Sequence, residues 1–459
     1  MKRILSAFMA TALMLVPVFA EEVTLPSDDD VKKILTDRID GSQTGIVVAL
    51  IENGRSRFVS HGQFGRNDPR PVDENTLFEA GSITKIFTNL LLAQLVLDGR
   101  MDLNAPIANY LPANTVLPTY KGKAITAFDL ATHTSGLPSL PDDLMNVDIN
   151  NPYAGYGSQG LFNWLATYRL NRSIGKDFSY SNAGTALLGL VVTHIDGRSY
   201  AQMVQQEILD PLGMKQSVLA LTGNPQPDMA TGHGRGGEPV SHWDFDAFAP
   251  AGALITSAGD LAKFIAAASG QTETPLKPAF ALLTEHSRSA GGKAQKIGLG
   301  PVISKLARRT IVWHNGRTGG FESFAGFDRE NGNGIVVLSN RLSITGIDDI
   351  GAHLLDARQE LLPQLPMRIA VAIDTAKLPA YVGQYLLAPG AIMSITEEKG
   401  QLFLQLTGQQ RFAAYPESDT KFFLREVDAQ ISFTVEDGKA TKLTLHQNGR
   451  NMPALRVGD

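Results

Sequence analysis

Apolar positions change their rhythm along this chain, and each rhythm predicts a different element. Residues 45–51 read GIVVALI, a short continuous apolar run, and the alternating Arg57-Phe58-Val59-Ser60 follows Asn53-Gly54. Asn-Gly between two such runs predicts a β-hairpin. From Ser82 to Leu97 nearly every helical face is apolar, through Ile83, Ile86, Phe87, Leu90, Leu91, Leu92, Leu95, Val96 and Leu97. A helix apolar all round is a buried one, and Asp98-Gly99 ends it.

The middle of the chain reads as helices separated by long Pro/Gly loops. One helix begins near Ala183 and another near Ser257-Ala258-Gly259-Asp260, where Ser and Asp stand at capping-box spacing. Strand signals return at residues 311–314, 321–327 and 335–339, with Asn331-Gly332-Asn333-Gly334 turning the chain before the last. An amphipathic helix over about residues 347–362 follows. Strands at both ends of a region, with helices between, predict one sheet assembled from the two chain ends and a helical subdomain inserted into it. Beyond Pro363 and Pro366 the texture becomes short alternating runs such as QLFLQL (401–406) and ISFTV (431–435), separated by Gly and Asp turns. That pattern predicts a small all-β, barrel-like domain. The division expected is 1–20 signal peptide, 21–362 catalytic region, 363–377 linker and 378–459 β domain.

Composition narrows the picture. With 459 residues the chain is long enough for two or three domains, and 43% hydrophobic against 19% charged residues places it among globular proteins rather than disordered ones. The net charge is −5 with no basic run, which argues against nucleic acid as a partner. Lys2-Arg3, the apolar run from Ile4 to Val18 and the small-residue site ending at Ala20 predict a cleavable secretory signal. The run is shorter than the ~20 residues of a membrane span, so no stable membrane insertion is expected after cleavage. Loss of the signal makes the protein more acidic by two charges, those of Lys2 and Arg3. There is no cysteine, which excludes disulfides, thiolate metal sites, a Cys nucleophile and a lipidated N-terminal Cys. A chain of this size holds together by core burial alone. The bacterial periplasm or the exterior is the expected location.

Three short patterns carry chemistry. Ser82-Ile83-Thr84-Lys85 places a hydroxyl and an amine on one face of a helix, with Cβ atoms about 5–6 Å apart. Two other Ser-x-x-Lys pairs exist, Ser173/Lys176 and Ser418/Lys421, but only Ser82/Lys85 opens a long apolar helix. A Ser hydroxyl is a poor nucleophile until something takes its proton, and a free Lys, pKa about 10.4, is protonated and cannot do so. Burial lowers that pKa and makes Lys85 a candidate base. Tyr180-Ser181-Asn182 is the only Tyr-x-Asn in the chain. Its phenol is a second proton carrier if neighbouring Lys85 depresses its pKa, and the Asn182 amide suits a substrate amide. His314-Asn315-Gly316-Arg317-Thr318-Gly319-Gly320 reads as strand then Gly-rich loop, whose glycines permit close approach to a ligand. His314 is expected to bind a substrate carboxylate or to hydrogen-bond Tyr180. His233, His242 and Trp243 lie in another Gly-rich loop, which reads equally as pocket lining or as ordinary surface. No Gly-x-Ser-x-Gly, His-Glu-x-x-His, dinucleotide or P-loop pattern is present, so an α/β-hydrolase elbow, a zinc hydrolase and nucleotide chemistry have no support; no cofactor and no metal are expected.

Together these motifs resemble the serine β-lactamase and penicillin-binding protein superfamily in its class C-related branch. The segments FEAGSITK (78–85), THTSGL (132–137), DPLGM (210–214) and AGALITS (251–257) are similar to that branch, and the likeness spans about residues 28–362. The resemblance implies an α+β fold: an α/β sandwich with an antiparallel sheet and an inserted helical subdomain, carrying a small C-terminal all-β domain here. It implies Ser82 as acylated nucleophile, Lys85 as general base, Tyr180 as second acid/base and Asn182 as a substrate-amide contact. His314, Gly316 and Arg317 would line the substrate, with the Ser82 and Arg317 N–H groups as oxyanion hole. His133 belongs to a turn that the resemblance makes structural rather than catalytic. The implied activity is a serine hydrolase working through an acyl-enzyme on β-lactams or D-Ala-D-Ala-like peptides, as a β-lactamase or carboxypeptidase. The partner is then a small molecule, a short peptide or peptidoglycan. Two alternatives stand beside it: a carboxylesterase on the same scaffold, and a non-hydrolytic penicillin- or peptidoglycan-binding protein. One departure bears on the choice. Class C β-lactamases carry Lys-Thr-Gly where this chain has His314-Asn315-Gly316. Arg317 or a protonated His314 would have to supply the positive charge that Lys provides.

Overall fold

The computed structural model describes residues 24–458 except 147, 149, 220–225, 293, 307, 308, 364, 366 and 367. The expected signal segment lies outside the described residues, as does Pro366.

The strand Gly45–Glu52 lies near the middle of a nine-stranded antiparallel sheet. On one side it pairs with Arg55–Gly65, the other arm of the Asn53-Gly54 hairpin. On the other it pairs with Gly334–Ser339, with Ile46 opposite Ser339 and Ile51 opposite Gly334. The sheet is therefore closed by segments nearly 300 residues apart, as the strand–helix–strand pattern predicts. Beyond Gly334–Ser339 come Glu322–Asp328, Arg309–Arg317, Val302–Leu306 and two short strands.

Residues 46–51 are apolar throughout because the sheet is covered on both faces. Val47, Ala49 and Ile51 join the large core with the inserted helices. Ile46, Val48 and Leu50 pack with Val31 and Leu35 of the helix Asp28–Ile39 and with Ile350 and Leu354 of the helix Asp348–Leu355. Alternate side chains of a strand point to opposite faces, so a strand between two helical layers loses its polar positions.

The apolar stretch after Gly81 opens with a single 3-10 turn, Gly81–Ile83, and continues as the helix Thr84–Leu97. It is buried on nearly every side, with Phe87 stacked on Phe264 at 4.4 Å between ring centroids. The helix Asn182–Asp196 starts where Ser181 Oγ accepts from the Gly184 N–H, and Gly197 at φ 91° stops it. Ser257 caps Ala258–Ala268 through the Asp260 N–H.

One expected helix is shorter than its periodicity suggests. It ends at Leu355 rather than near 362. Asp356 leaves helical geometry and pairs with Arg358 at 2.8 Å, and the chain folds back so that the Leu362 N–H donates to Asp349. From Gly383 to Gly458 eight strands close into a barrel with its own core, built around Tyr381, Tyr385, Phe422 and Phe433.

Candidate active site

The turn that presents Ser82 is pressed between the helical layer and the end of Arg309–Arg317. Gly81 sits at φ 52°, in the left-handed region, and a Cβ there would stand 2.8 Å from the Arg317 nitrogen. A Cβ on Gly316 would overlap the Ala80 carbonyl and Ser323 Oγ, and would stand 2.9 Å from the Ser82 nitrogen. Ser323 Oγ donates to Ala80 O at 2.7 Å and pins the two segments together. The amides of Ser82 and Arg317 therefore flank one tight contact. Gly316, expected to touch a ligand, is instead buried beneath the nucleophile turn, and its missing side chain serves that chain-to-chain approach.

Lys85 is 0% exposed, one turn along the same helix. Its Nζ donates to Ser82 Oγ at 3.1 Å and to Ala251 O at 2.7 Å. Among the described residues no carboxylate pairs with it. Burial alone holds its pKa well below the usual lysine value. The decoys differ: Lys176 is exposed, and Lys421 forms an ion pair with Glu417.

Tyr180 closes the other side, its ring 4.9 Å from Lys85 Nζ. The expectation that Lys85 depresses its pKa is overturned. Burial raises the phenol above its ordinary value, Ser82 opposes this, and the Tyr153 hydroxyl raises it further. Tyr180 thus rests as a phenol, suited to donating a proton.

His133 is the residue that sequence reasoning set aside. The backbone there has φ 54°, and its carbonyl accepts from the Ser179 N–H at 2.8 Å. Its Nδ1 accepts from the Ser181 N–H at 3.2 Å, and its ring lies 4.5 Å from that of Tyr180. The expected structural turn is present, and it also forms the floor under Tyr180. Burial, with the nearby Lys85 and His314, keeps its imidazole neutral.

His314 is 3% exposed and its pKa is pushed down to about 4, chiefly by burial and then by Lys85. Its Nδ1–H donates to the Asn315 carbonyl. The Tyr180 and His314 rings are 6.4 Å apart with no hydrogen bond between them. With that pKa His314 is neutral near pH 7, which argues against it as the cation for a carboxylate. Arg317 keeps its charge but not its freedom. It is 47% exposed, and Nη2 donates to Glu322 Oε1 at 2.7 Å. Hairpin register places Arg317 directly opposite Glu322. Counting back across the turn at 318–321 would have found this pair.

Asn182 opens its helix beside Ser82's pocket, and its Nδ2 donates to Tyr153 OH at 3.1 Å. Tyr153 stacks on Phe245 and Phe248 and meets Trp243 edge-on. Asn182 Oδ1, Trp243 Nε1 and Thr318 Oγ1 are buried without partners. A Cβ on Gly319 would stand 2.7 Å from that Trp243 Nε1, which brings the residue next to Thr318 against the Trp243 ring. Unpaired buried polar atoms are costly and mark places where a ligand completes the hydrogen bonding. The loop carrying Trp243 is no loose surface segment. His242 Nδ1 and the Trp243 N–H both meet Glu79 Oε1, at 3.0 and 3.2 Å, and His233 is fully buried. Tyr153 escaped the sequence reading because nothing local marks it, and Glu79 and Thr318, though inside quoted motifs, were given no role there.

The sequence and the fold have counterparts among known proteins. The family model described as Beta-lactamase matches residues 6–358, and one described as a domain of unknown function, DUF3471, matches residues 367–454. Penicillin-binding protein 4* of Bacillus subtilis is 25% identical over 432 residues, covering 86% of this chain and 92% of its own. The D-alanyl-D-alanine-carboxypeptidase/endopeptidase AmpH of Escherichia coli K12 is 26% identical, covering 71% and 87%. Among solved structures, the β-lactamase/D-alanine carboxypeptidase of Pseudomonas syringae superposes with a TM-score of 0.62 at 21% identity, over 73% of this chain and 99% of that one, a likeness of fold. With the matched region spanning well over half of its length, the chain belongs to the Beta-lactamase family.

Proposed function

We propose that the protein is a serine hydrolase that opens β-lactams or D-Ala-D-Ala-like peptides through an acyl-enzyme on Ser82. One observation carries the reading: a fully buried amine, unpaired with any carboxylate among the described residues, lies 3.1 Å from the Ser82 hydroxyl. Neutral Lys85 takes the Ser82 proton as Oγ attacks the carbonyl carbon. The oxyanion that forms is met by the Ser82 and Arg317 N–H groups. Tyr180, a phenol at rest, gives its proton to the leaving nitrogen and is reprotonated through Lys85. Water then attacks the acyl carbonyl, and its proton returns by the same route. Asn182 Oδ1 accepts from the substrate amide, and Trp243 Nε1 and Thr318 Oγ1 bind its polar groups. The relatives named as a penicillin-binding protein and as a D-alanyl-D-alanine carboxypeptidase support this substrate class.

A second reading has its own support. His314 is neutral and Arg317 is held by Glu322, so neither of them offers a free cation to a substrate carboxylate. That favours an esterase-like preference for uncharged acyl groups on the same machinery. A sequence-level signal at residues 1–20 supports export to the periplasm or beyond. We further read residues 21–362 as the catalytic unit, 363–377 as its linker and 378–459 as a β domain that could bring peptidoglycan to the site.

The test compares the mature protein and Ser82→Ala with a fluorescent penicillin, nitrocefin and a p-nitrophenyl ester. Ser82-dependent nitrocefin turnover supports a β-lactamase, and turnover of the ester alone supports an esterase. Stable labelling without turnover points to a penicillin-binding protein. Undiminished activity of Ser82→Ala in every assay overturns the site.

A further inference from the structure

Away from Ser82, a small, partly open cavity of about 40 Å³ lies at the seam between the catalytic region and the barrel. Five arginines line it, Arg38, Arg235, Arg341, Arg368 and Arg425, and among the described residues no carboxylate does. Most of this charge is answered from behind. Arg38 pairs with Asp349 at 2.6 Å, Arg425 with Glu238 at 2.7 Å, and Arg368 with Glu417 at 3.0 Å and Asp428 at 3.8 Å.

Arg235 and Arg341 are not answered in this way. Arg341 is 8% exposed and makes no hydrogen bond or ion pair among the described residues. Among the described residues Arg235 has only the Arg425 carbonyl, at 3.2 Å, and its Nε is buried without a partner. Glu322 acts on both from a distance, and Glu426 on Arg235. A guanidinium does not neutralise itself by losing a proton. A buried Arg341 beside a half-buried Arg235, neither in an ion pair among the described residues, is costly unless an anion meets them. Burial pushes both below the usual arginine value, the direction expected of cations with too few partners.

We propose that this seam cavity is an anion site whose occupant is a small oxyanion, a carboxylate or a phosphate group, held by Arg235 and Arg341. A guanidinium presents paired N–H donors that match the oxygen spacing of both groups. Ser343 and Thr345 complete the wall. The site is independent of the reading given for Ser82.

The experiment follows thermal unfolding of the whole mature protein with inorganic phosphate or glutarate, each against sodium chloride at matched ionic strength. Arg341→Gln, Arg235→Gln and, as a surface control, Arg100→Gln are run in parallel. At roughly tenfold excess over Kd, binding raises Tm by about 2–3 °C, saturably, in the wild type and in Arg100→Gln. Loss of the rise in either seam variant supports the site, and the anion that acts separates phosphate from carboxylate. Unchanged Ser82-dependent ester turnover shows that each seam variant is folded, and either one suffices if the other does not fold. No rise beyond chloride, a rise kept by both seam variants, or its loss in Arg100→Gln overturns the proposal.

Discussion

The reactivity proposed for Ser82 rests on one buried amine, Lys85. Replacing Lys85 by Arg keeps a cation but removes the ability to lose a proton, so acylation by a p-nitrophenyl ester is expected to fall by roughly 10²–10⁴-fold. A stopped-flow burst measures it. Because burial lowers the Lys85 pKa, the amine becomes a base as pH rises through that lowered value. The acid limb of kcat/KM for a neutral ester is accordingly expected well below pH 10. His314 makes a second prediction. With its pKa near 4, it stays neutral from pH 6 to 8, so the ratio of kcat/KM for an anionic penicillin to that for a neutral ester should be flat across that range. A ratio rising as pH falls through 7 would contradict the burial argument. The same shift affects stability. The unfolded imidazole, pKa about 6.5, binds its proton before the folded one does, so stability is present above that value and is lost as pH falls toward 4. His314→Gln should remove about 3 kcal/mol of that acid-side loss, read from urea melts at pH 7 and pH 4.

At the scale of elements, the site is a contact between a strand end and a helix start. The motif Ser-x-x-Lys is local to one helix, and its geometry was legible because i and i+3 share a face. What holds the amides proposed to meet the oxyanion is not local. Gly316 and Gly81 bring Arg309–Arg317 onto the turn before Thr84–Leu97 with no room for a methyl group. Gly316→Ala must push the strand outward. The expected result is a loss of roughly 10²-fold or more in kcat, the size reported for removing one oxyanion donor. A stability cost of about 1–3 kcal/mol should accompany it. Unchanged kcat in a folded Gly316→Ala protein would show that the strand end does not position those amides. The pairing of Arg317 with Glu322 belongs to the same scale. It arises from hairpin register, and it takes away the free charge that the motif suggested.

At the scale of the molecule, the barrel is fastened to the catalytic region by few polar contacts. Arg425 reaches from the barrel to Glu238, its guanidinium over the Tyr415 ring, while Arg235 reaches back to the Arg425 carbonyl. A double-mutant cycle of Glu238→Gln and Arg425→Gln should give a coupling of roughly 0.5–1.5 kcal/mol. Additive effects of the two substitutions would show that this contact does not join the parts. The seam sits close to the chemistry, since Ser343 lines the cavity and donates to the same Glu322 that holds Arg317.

By itself the sequence determined what period and local spacing determine. The Asn53-Gly54 hairpin, the buried helix after Gly81, the sheet drawn from both chain ends, the β-rich tail and the Ser82/Lys85 pair follow from side-chain periodicity and capping. Only the tertiary structure decided how these pieces set one another's chemistry. The protonation states of Tyr180 and His314, the ring of His133 beneath Tyr180, and the capture of Arg317 by Glu322 all depend on burial and on neighbours far away in the chain. Desolvation and pairing act through space, and a one-dimensional pattern carries no distances between segments that meet only on folding.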